Sequence, residues 1–146
     1  MFKRLHLVYT LLGSLLLIII FSSCSSSRRI TGLEEGWEVL GERKVNFLND
    51  KDVIDITNKS LYTALRFMVE DRDIRINELK IYFNNGDKLE PALDEEIPAG
   101  QSSRYIELGS EGRIIDRLEF KYRTVGNILK GRANVIVLGR RFNPYR

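Results

Sequence analysis

Few residues in this chain of 146 amino acids could carry out chemistry. It has one histidine, His6, and one cysteine, Cys24, and both lie within the first 24 positions. A Ser-His-Asp triad, a cysteine–histidine pair and a histidine-bound zinc site all require a histidine. These classes are excluded for the chain after Cys24, and general acid–base catalysis by paired carboxylates is the class that is left.

Carboxylates occur in three close groups, which are Asp50 with Asp52, Asp71 with Asp73, and the run Asp94-Glu95-Glu96. Two carboxylates on either side of a cleft can hydrolyse a glycosidic bond. A thin β-domain of this length leaves little room for such a cleft. We therefore expect a protein that is not an enzyme, with a glycoside hydrolase-like activity as the alternative.

Calcium is another use for acidic residues in a loop. Asp50, Asp52 and Asp55 offer hard oxygen ligands close together, and the Asp50-x-Asp52 spacing resembles the start of an EF-hand loop. The resemblance ends there, since Asp55 and Leu61 stand where that loop has its glycine and its glutamate. The same residues suit an Asx-turn that closes a hairpin. Both readings stay open, and calcium is the one cofactor that the sequence suggests.

Arginines near glycine-rich breaks are the first candidates for ligand binding. Arg104 and Arg113 flank predicted strand ends, and with Arg117 and Lys121 they could form a patch for an anionic ligand. The alternative is ordinary cross-strand pairing, which stabilises a sheet only slightly. The carboxylates available for that pairing are Glu107 and Glu119.

Aromatic side chains are the second candidates, because exposed rings stack on sugars. Four residues could form such a platform: Trp37, Tyr62, Tyr82 and Tyr105. Tyr82 and Tyr105 alternate with the apolar residues of their strands, which predicts that both are exposed. Trp37 is predicted to belong to the core.

The first 23 residues have the layout of a secretory signal. Lys3 and Arg4 precede an uncharged, mostly apolar run over 5–21, and Ser22 and Ser23 follow it. The segment Phe21-Ser22-Ser23-Cys24 resembles the lipobox of bacterial lipoproteins, with phenylalanine where leucine is usual. The resemblance implies cleavage before Cys24 and acylation of that residue, and several acyl chains give a firm anchor. An uncleaved signal anchor is the alternative.

The residues after the signal predict where the protein acts. Without Lys3 and Arg4 the chain has 21 basic and 20 acidic residues, which gives no basic excess for nucleic-acid binding. Ser25 follows the cysteine, and serines and arginines take the place of an acidic run. This is similar to lipoproteins sorted to an outer membrane and facing the periplasm. We expect a membrane contact through the lipid, an envelope protein or glycan as partner, and no nucleic acid.

Short apolar runs separated by turn residues predict an all-β fold from Trp37 onward. Their spacing is typical of an antiparallel β-sandwich, jelly-roll-like or Greek key, of about eight strands. Asn85-Gly86 predicts a hairpin turn, the apolar run over 133–139 predicts a central strand, and 60–66 is the one stretch that could form a helical turn. One face of another strand is predicted to be Ile114, Leu118, Phe120 and Tyr122.

The predicted domain organisation is a signal peptide over 1–23, a lipidated tether over 24–36, a sandwich over 37–140 and a tail over 141–146. Short motifs occur in order along the sandwich: Trp37-x-x-Leu40-Gly41, Leu65-Arg66-Phe67, Asn85-Gly86 and Phe120-x-Tyr122. They resemble a family of small secreted bacterial β-proteins of unknown function. That resemblance implies a sandwich and no activity. We expect a lipid-anchored binding or structural module, with calcium or glycan binding and an accessory-subunit role as alternatives.

Overall fold

The described residues, which are 33–45, 51–126 and 132–145 of a computed structural model, fold into nine β-strands and no helix. The strands are β1 Trp37–Val45, β2 Lys51–Asp55, β3 Leu61–Glu70, β4 Ile74–Phe83, β5 Lys88–Leu89, β6 Glu95–Ile97, β7 Ile106–Glu107, β8 Arg113–Thr124 and β9 Ala133–Arg141. The prediction of an antiparallel, sandwich-like all-β fold is confirmed, with nine strands in place of about eight.

All strand pairs are antiparallel, and the main path through the open sheet runs β1-β9-β3-β8-β4-β5. One group of strands, here called the β9 layer, consists of β1, β9, β3 and β7. The other group, the β8 layer, consists of β2, β8, β4, β5 and β6. The two layers join where β3 pairs with β8, at Leu61↔Ile114 and Tyr62↔Arg113.

The core lies between the layers because each long strand directs alternate apolar side chains to the same side. In β3 these are Leu65, Phe67 and Val69, all fully buried, as their alternation predicts. The Phe67 ring meets the Phe120 ring of β8 at a centroid distance of 5.7 Å. Contact between the two strands' inward rings fixes the layers against each other.

The apolar run over 133–139 forms β9, which pairs with β1 on one side and with β3 on the other. Its central position was predicted and is confirmed. Gly139 is required there, because a Cβ at this position would lie 2.7 Å from both Leu40 and Tyr62 side-chain carbons. The strand also extends through Arg141, one residue into the predicted tail.

Two local predictions were wrong. The stretch over 60–66 forms no helical turn, because β3 begins at Leu61 and its backbone pairs with β8 and then with β9. In β8, Ile115 is the fully buried residue and Ile114 is only partly buried. The pairing with β4 shifts between Tyr82↔Arg117 and Phe83↔Ile115, and this irregularity moves the inward position by one residue.

Candidate functional site

An open cleft of about 680 Å³ lies where two loops meet at one end of the domain. One loop is the turn after β4, and the other connects β7 to β8. We call it the first cleft. Its lining residues are Leu61, Phe83, Asn84, Asn85, Asp87, Leu108, Gly109, Ser110, Glu111, Gly112, Arg113 and Ile114.

The turn after β4 is built as its sequence predicts. Gly86 has a φ of 89°, and the Phe83 amide donates to the Asp87 carbonyl at 2.9 Å. The Asn85 side-chain oxygen accepts from the Asp87 amide at 3.1 Å, which fixes the tip. The hairpin turn at Asn85-Gly86 is confirmed, and it forms one wall of the first cleft.

The loop before β8 forms the opposite wall. Gly112 has a φ of 70°, and its amide donates to the Gly109 carbonyl at 3.2 Å. A Cβ on Gly112 would lie 3.0 Å from the Phe142 Cβ and 3.1 Å from the Leu61 Cβ. A glycine is therefore needed both for the backbone angle and for the close approach of its neighbours.

Arg113 is the one cation among the described residues that line the first cleft, and its charge is already compensated. Its guanidinium carbon lies 3.5 Å from the centroid of the Phe83 ring. One of its nitrogens donates to the Asp87 carboxylate. The first cleft therefore combines an apolar floor, of which Leu61 is 41% exposed, with a rim of neutral polar groups, the paired Arg113 and Asp87, and the exposed Glu111.

A second cleft of about 610 Å³ lies beside the first and shares Gly109 and Ser110 with it. Its other lining residues are Glu35, Gly36, Thr63, Glu107, Arg140, Arg141, Phe142 and Asn143. Arg140 donates to the Glu107 carboxylate and to the Thr63 hydroxyl, both at 3.0 Å. Arg141 donates to the Ser60 hydroxyl at 2.9 Å.

Next to Arg140 lies a cluster of aromatic rings and a guanidinium. The Trp37 and Tyr105 rings stack with centroids 5.3 Å apart, and the Arg66 guanidinium carbon is 4.5 Å from the Trp37 ring. Tyr105 is 46% exposed, which agrees with its predicted exposure, whereas Trp37 is buried. Trp37 thus packs against Tyr105 and Arg66 and is absent from the main hydrophobic cluster of the described core.

The other predicted ligand-binding residues lie apart from the clefts or in their walls. Arg104 donates to the Ala92 carbonyl and belongs to the loop before β7. Tyr82 is half-buried beneath the Arg117 guanidinium, whose carbon is 3.9 Å from the ring centroid. Tyr62 is fully buried, so its place in an exposed platform is ruled out. Of the ligand-binding residues predicted from the sequence, Arg113 is the one that lines the first cleft.

The predicted arginine patch is instead made of separate ion pairs. Arg117 pairs with Glu119 at 3.5 Å, and Lys121 pairs with Glu78 at 3.0 Å. Glu107, the other predicted partner, pairs with Arg140 at 3.0 Å. Cross-strand ion pairing was the alternative prediction for these residues, and ion pairs are what the outward side of β8 contains.

Two of the three predicted calcium ligands, Asp52 and Asp55, lie within the described residues. Asp52 accepts from the Tyr122 hydroxyl at 2.7 Å and from Arg43 at 3.2 Å, and Asp55 is exposed at the end of β2. Asp50 lies outside the described residues. Across the described part of the chain no group of three or more histidine, cysteine or acidic side chains could hold a metal ion. Calcium binding through these three residues stays a prediction.

Cys24, the signal and most of the tether also lie outside the described residues, so lipidation stays a prediction. No helix long and apolar enough to cross a membrane occurs in the part of the chain that the structure describes.

Sequence reasoning missed most of the first cleft. Asn84, Ser110 and Glu111 line it, and all three belong to segments identified only as turns. The signal that was present is that both segments combine glycine with small polar residues. What the sequence did not indicate is that two turns separated by more than twenty residues meet at one end of the fold.

A family model described as a domain of unknown function (DUF2541) matches residues 11–139. No curated protein matches the chain. Among solved structures the chain is similar to AlgX of Pseudomonas aeruginosa, with 11% sequence identity and a TM-score of 0.44. That match covers 71% of this chain, and this chain spans 27% of the AlgX chain.

Proposed function

Because this chain belongs to the DUF2541 family, whose function is unknown, we propose a function from its own surface. The protein is a lipid-anchored, non-catalytic binding module of the cell envelope. It holds an uncharged sugar unit of a glycan in the first cleft, between the turn after β4 and the loop before β8.

The observation that carries this proposal is the composition of the first cleft. Small-molecule sites are concave, with an apolar surface and a few polar groups that fix orientation, and about 300–1,000 Å³ is their usual volume. The first cleft has about 680 Å³, a floor that includes Leu61 and Leu108, and a rim with Asn84 and Ser110. Amide and hydroxyl groups exchange hydrogen bonds with sugar hydroxyls, while the CH faces of a sugar pack on apolar side chains.

The contacts of Asp87 favour binding over hydrolysis. A glycosidase needs two carboxyl groups that flank the scissile bond. Asp87 instead accepts from Arg113 and, at 2.9 Å, from the Asn85 side-chain amide, so its oxygens are engaged by neighbouring side chains. Glu111, the other acid of the cleft, is exposed. The glycosidase alternative is therefore the weaker one.

The lipid anchor rests on the sequence alone. Phe21-Ser22-Ser23-Cys24 resembles a lipobox, and thirteen residues over 24–36 would link the lipid to the start of β1. We propose acylation at Cys24 and an outer-membrane location facing the periplasm. The intact mass of membrane-extracted protein tests this directly, since residues 24–146 plus acyl chains and the uncleaved chain differ greatly in mass. Release of a Cys24→Ala variant from the outer-membrane fraction is expected, and unchanged fractionation would oppose lipidation.

The binding proposal is tested with a panel of immobilised glycans and the detergent-extracted protein. We expect retention on at least one neutral glycan, and a loss of about tenfold in affinity for the double variant Asn84→Ala, Ser110→Ala, which corresponds to about 1.4 kcal/mol. Gln101→Ala is the matched control, because Gln101 is exposed on a loop outside the cleft. A blank panel, or equal affinity for the double variant and the control, would contradict the proposal.

A further inference from the structure

We propose that the second cleft continues the first and binds an acidic group of the same ligand, so that the ligand is an anionic oligosaccharide. The inference rests on the proposed function and adds to it the length and charge of the ligand. It is carried by the shared wall of the two clefts and by the one guanidinium in the second cleft that has no carboxylate partner among the described residues.

The wall between the clefts is one continuous piece of structure. Gly109 and Ser110 line both clefts. Leu61 lies on the floor of the first cleft, and its carbonyl accepts from the amide of Phe142, which lines the second, at 2.8 Å. A ligand that extends out of the first cleft past Ser110 therefore enters the second without crossing another element.

The two clefts differ in how their cations are compensated. Arg113 in the first and Arg140 in the second each pair with a carboxylate, Asp87 and Glu107. Arg141 donates to the neutral Ser60 hydroxyl and has no ion pair within 33–45, 51–126 and 132–145. The remaining acid of the second cleft, Glu35, already has an interaction partner.

A guanidinium without a carboxylate partner beside an open cleft favours an oxyanion. Arginine binds carboxylates and phosphates with two parallel N–H donors, and hydrogen bonds to charged groups are roughly twice as strong as neutral ones. The Arg141 backbone is held in place, since its amide donates to the Gly36 carbonyl at 2.8 Å. The cation of the first cleft is already paired, so the acidic group is assigned to the second.

Trp37 makes occupancy of the second cleft measurable. It is the one tryptophan of the chain, and the Arg140 guanidinium carbon lies 5.9 Å from its ring. A charged group bound beside Arg140 and Arg141 changes the electrostatic environment of this ring. A neutral sugar brings no charge to this ring and is expected to change its emission less.

The experiment compares cellotetraose with the same tetramer whose primary alcohols are oxidised to carboxylates, titrated into the detergent-extracted full-length protein. We expect the carboxylated tetramer to bind about tenfold more tightly, equivalent to about 1.4 kcal/mol. Its binding should shift Trp37 emission and weaken as salt is raised, because salt screens exposed charges. Arg141→Gln should remove this preference, so that the two tetramers bind with similar affinity.

Ser60→Ala is the matched control, because it removes the hydrogen-bond partner of Arg141 and keeps the charge. If Arg141 acts only by supporting the fold, Ser60→Ala and Arg141→Gln will weaken binding together, and the inference is overturned. Equal affinity for the two tetramers also overturns it and leaves the proposed function standing. If neither tetramer binds and the glycan panel is blank as well, both proposals fail. A response to acetate alone that matches the tetramer would show anion binding without a sugar and would overturn the two-cleft ligand.

Discussion

The two layers of the domain present different outward faces. On the β8 layer the outward side chains are charged and paired, as in Lys51 with Glu119 at 2.6 Å and Arg75 with Asp94 at 2.7 Å. On the β9 layer, Ile136 and Leu138 alternate with the inward Val135 and Val137, yet they too are buried. The first face is a water-facing surface of compensated charge, and the second is apolar on both sides of its central strand.

This difference bears on where the proposed ligand would bind. The arginines of the β9 layer, Arg66 and Arg140, lie over aromatic rings and also pair with carboxylates, Glu34 and Glu107. Arg140 also lines the second cleft. The β8 layer contributes to the first cleft mainly through its loops, so ligand contacts are expected at the loop end and beside β9. The paired charges on the outward side of the β8 layer, here called the charged ladder, support solubility.

The largest expected effect separates the two faces by stability. Leu138→Ala removes a fully buried side chain from the β9 layer and should lower the free energy of unfolding by about 2–5 kcal/mol. Lys121→Ala, on the outward face of β8, should leave it unchanged within error because exposed ion pairs contribute little. Denaturant unfolding followed by Trp37 fluorescence measures both. Similar losses for the two variants would show that the faces are not energetically distinct.

A smaller effect concerns buried tyrosines, since each layer directs one hydroxyl to a carboxylate on its edge strand. Tyr62 donates to Glu38 of β1, and Tyr122 donates to Asp52 of β2 at 2.7 Å. Burial, and then the bond to Glu38, raises the pKa of Tyr62. Tyr62→Phe should therefore cost about 1 kcal/mol at neutral pH.

The contribution of the Tyr62 hydroxyl to the free energy of unfolding should fall at alkaline pH. Because the folded protein holds the Tyr62 proton more tightly than the unfolded chain, the contribution is complete below the ordinary tyrosine pKa of about 10. It is lost as the pH rises from there through the raised pKa. The difference in stability between wild type and Tyr62→Phe should shrink over that range, as measured by urea unfolding at alkaline pH. A difference that stays constant would show that the lost contacts are those of packing alone.

The fold could be predicted from the sequence because its signals are local. Alternation of Leu65, Phe67 and Val69 around Arg66 defines a half-buried strand, and Asn85-Gly86 defines a turn. Ile115 could not be assigned in this way, since the irregular pairing of β8 with β4 depends on a partner strand about thirty residues away. The same limit explains Tyr62, whose burial comes from the pairing of β3 with both β8 and β9.

The candidate site was less predictable than the fold, for a related physical reason. Arg113 was identified from its position after a glycine-rich break, and it does line the first cleft. Arg141 was assigned to a tail, although it ends β9 and lines the second cleft. Residue type indicates what a side chain can bind, but which cations keep a carboxylate partner is decided by register between distant strands.

The next prediction concerns the direction in which the free energy of unfolding changes, and it compares one arginine from each face. Arg66 is 12% exposed, its Nε is buried with no hydrogen-bond partner among the described residues, and its contacts to Glu34 and Tyr105 are long, at 3.5 and 3.4 Å. Its partner Glu34 is 59% exposed, so replacing Arg66 by an apolar side chain of similar length leaves no buried charge unpaired and should not be costly. Arg66→Met should leave the free energy of unfolding unchanged or raise it, whereas Arg75→Met loses the two-bond contact with Asp94 and should lower it slightly. Thermal unfolding of the two variants decides this, and a clear loss for Arg66→Met would show that its position over Trp37 outweighs the unpaired Nε.

The smallest effect lies within the charged ladder itself. The hydrogen bond from Lys51, with a further contribution from Arg117, lowers the pKa of Glu119. Lys51→Gln should raise that pKa toward the ordinary glutamate value of about 4.3, as followed by carboxyl-carbon NMR. Lys59→Gln is the control, because Lys59 pairs with Asp116 at 3.0 Å and not with Glu119.

A group with a lowered pKa contributes stability that is present above its ordinary pKa and lost as the pH falls through the folded one. The stability difference between wild type and Lys51→Gln should therefore vanish in acid. If Glu119 titrates in the same way in both proteins, the charged ladder contributes to solubility without holding this carboxylate in its ionised form.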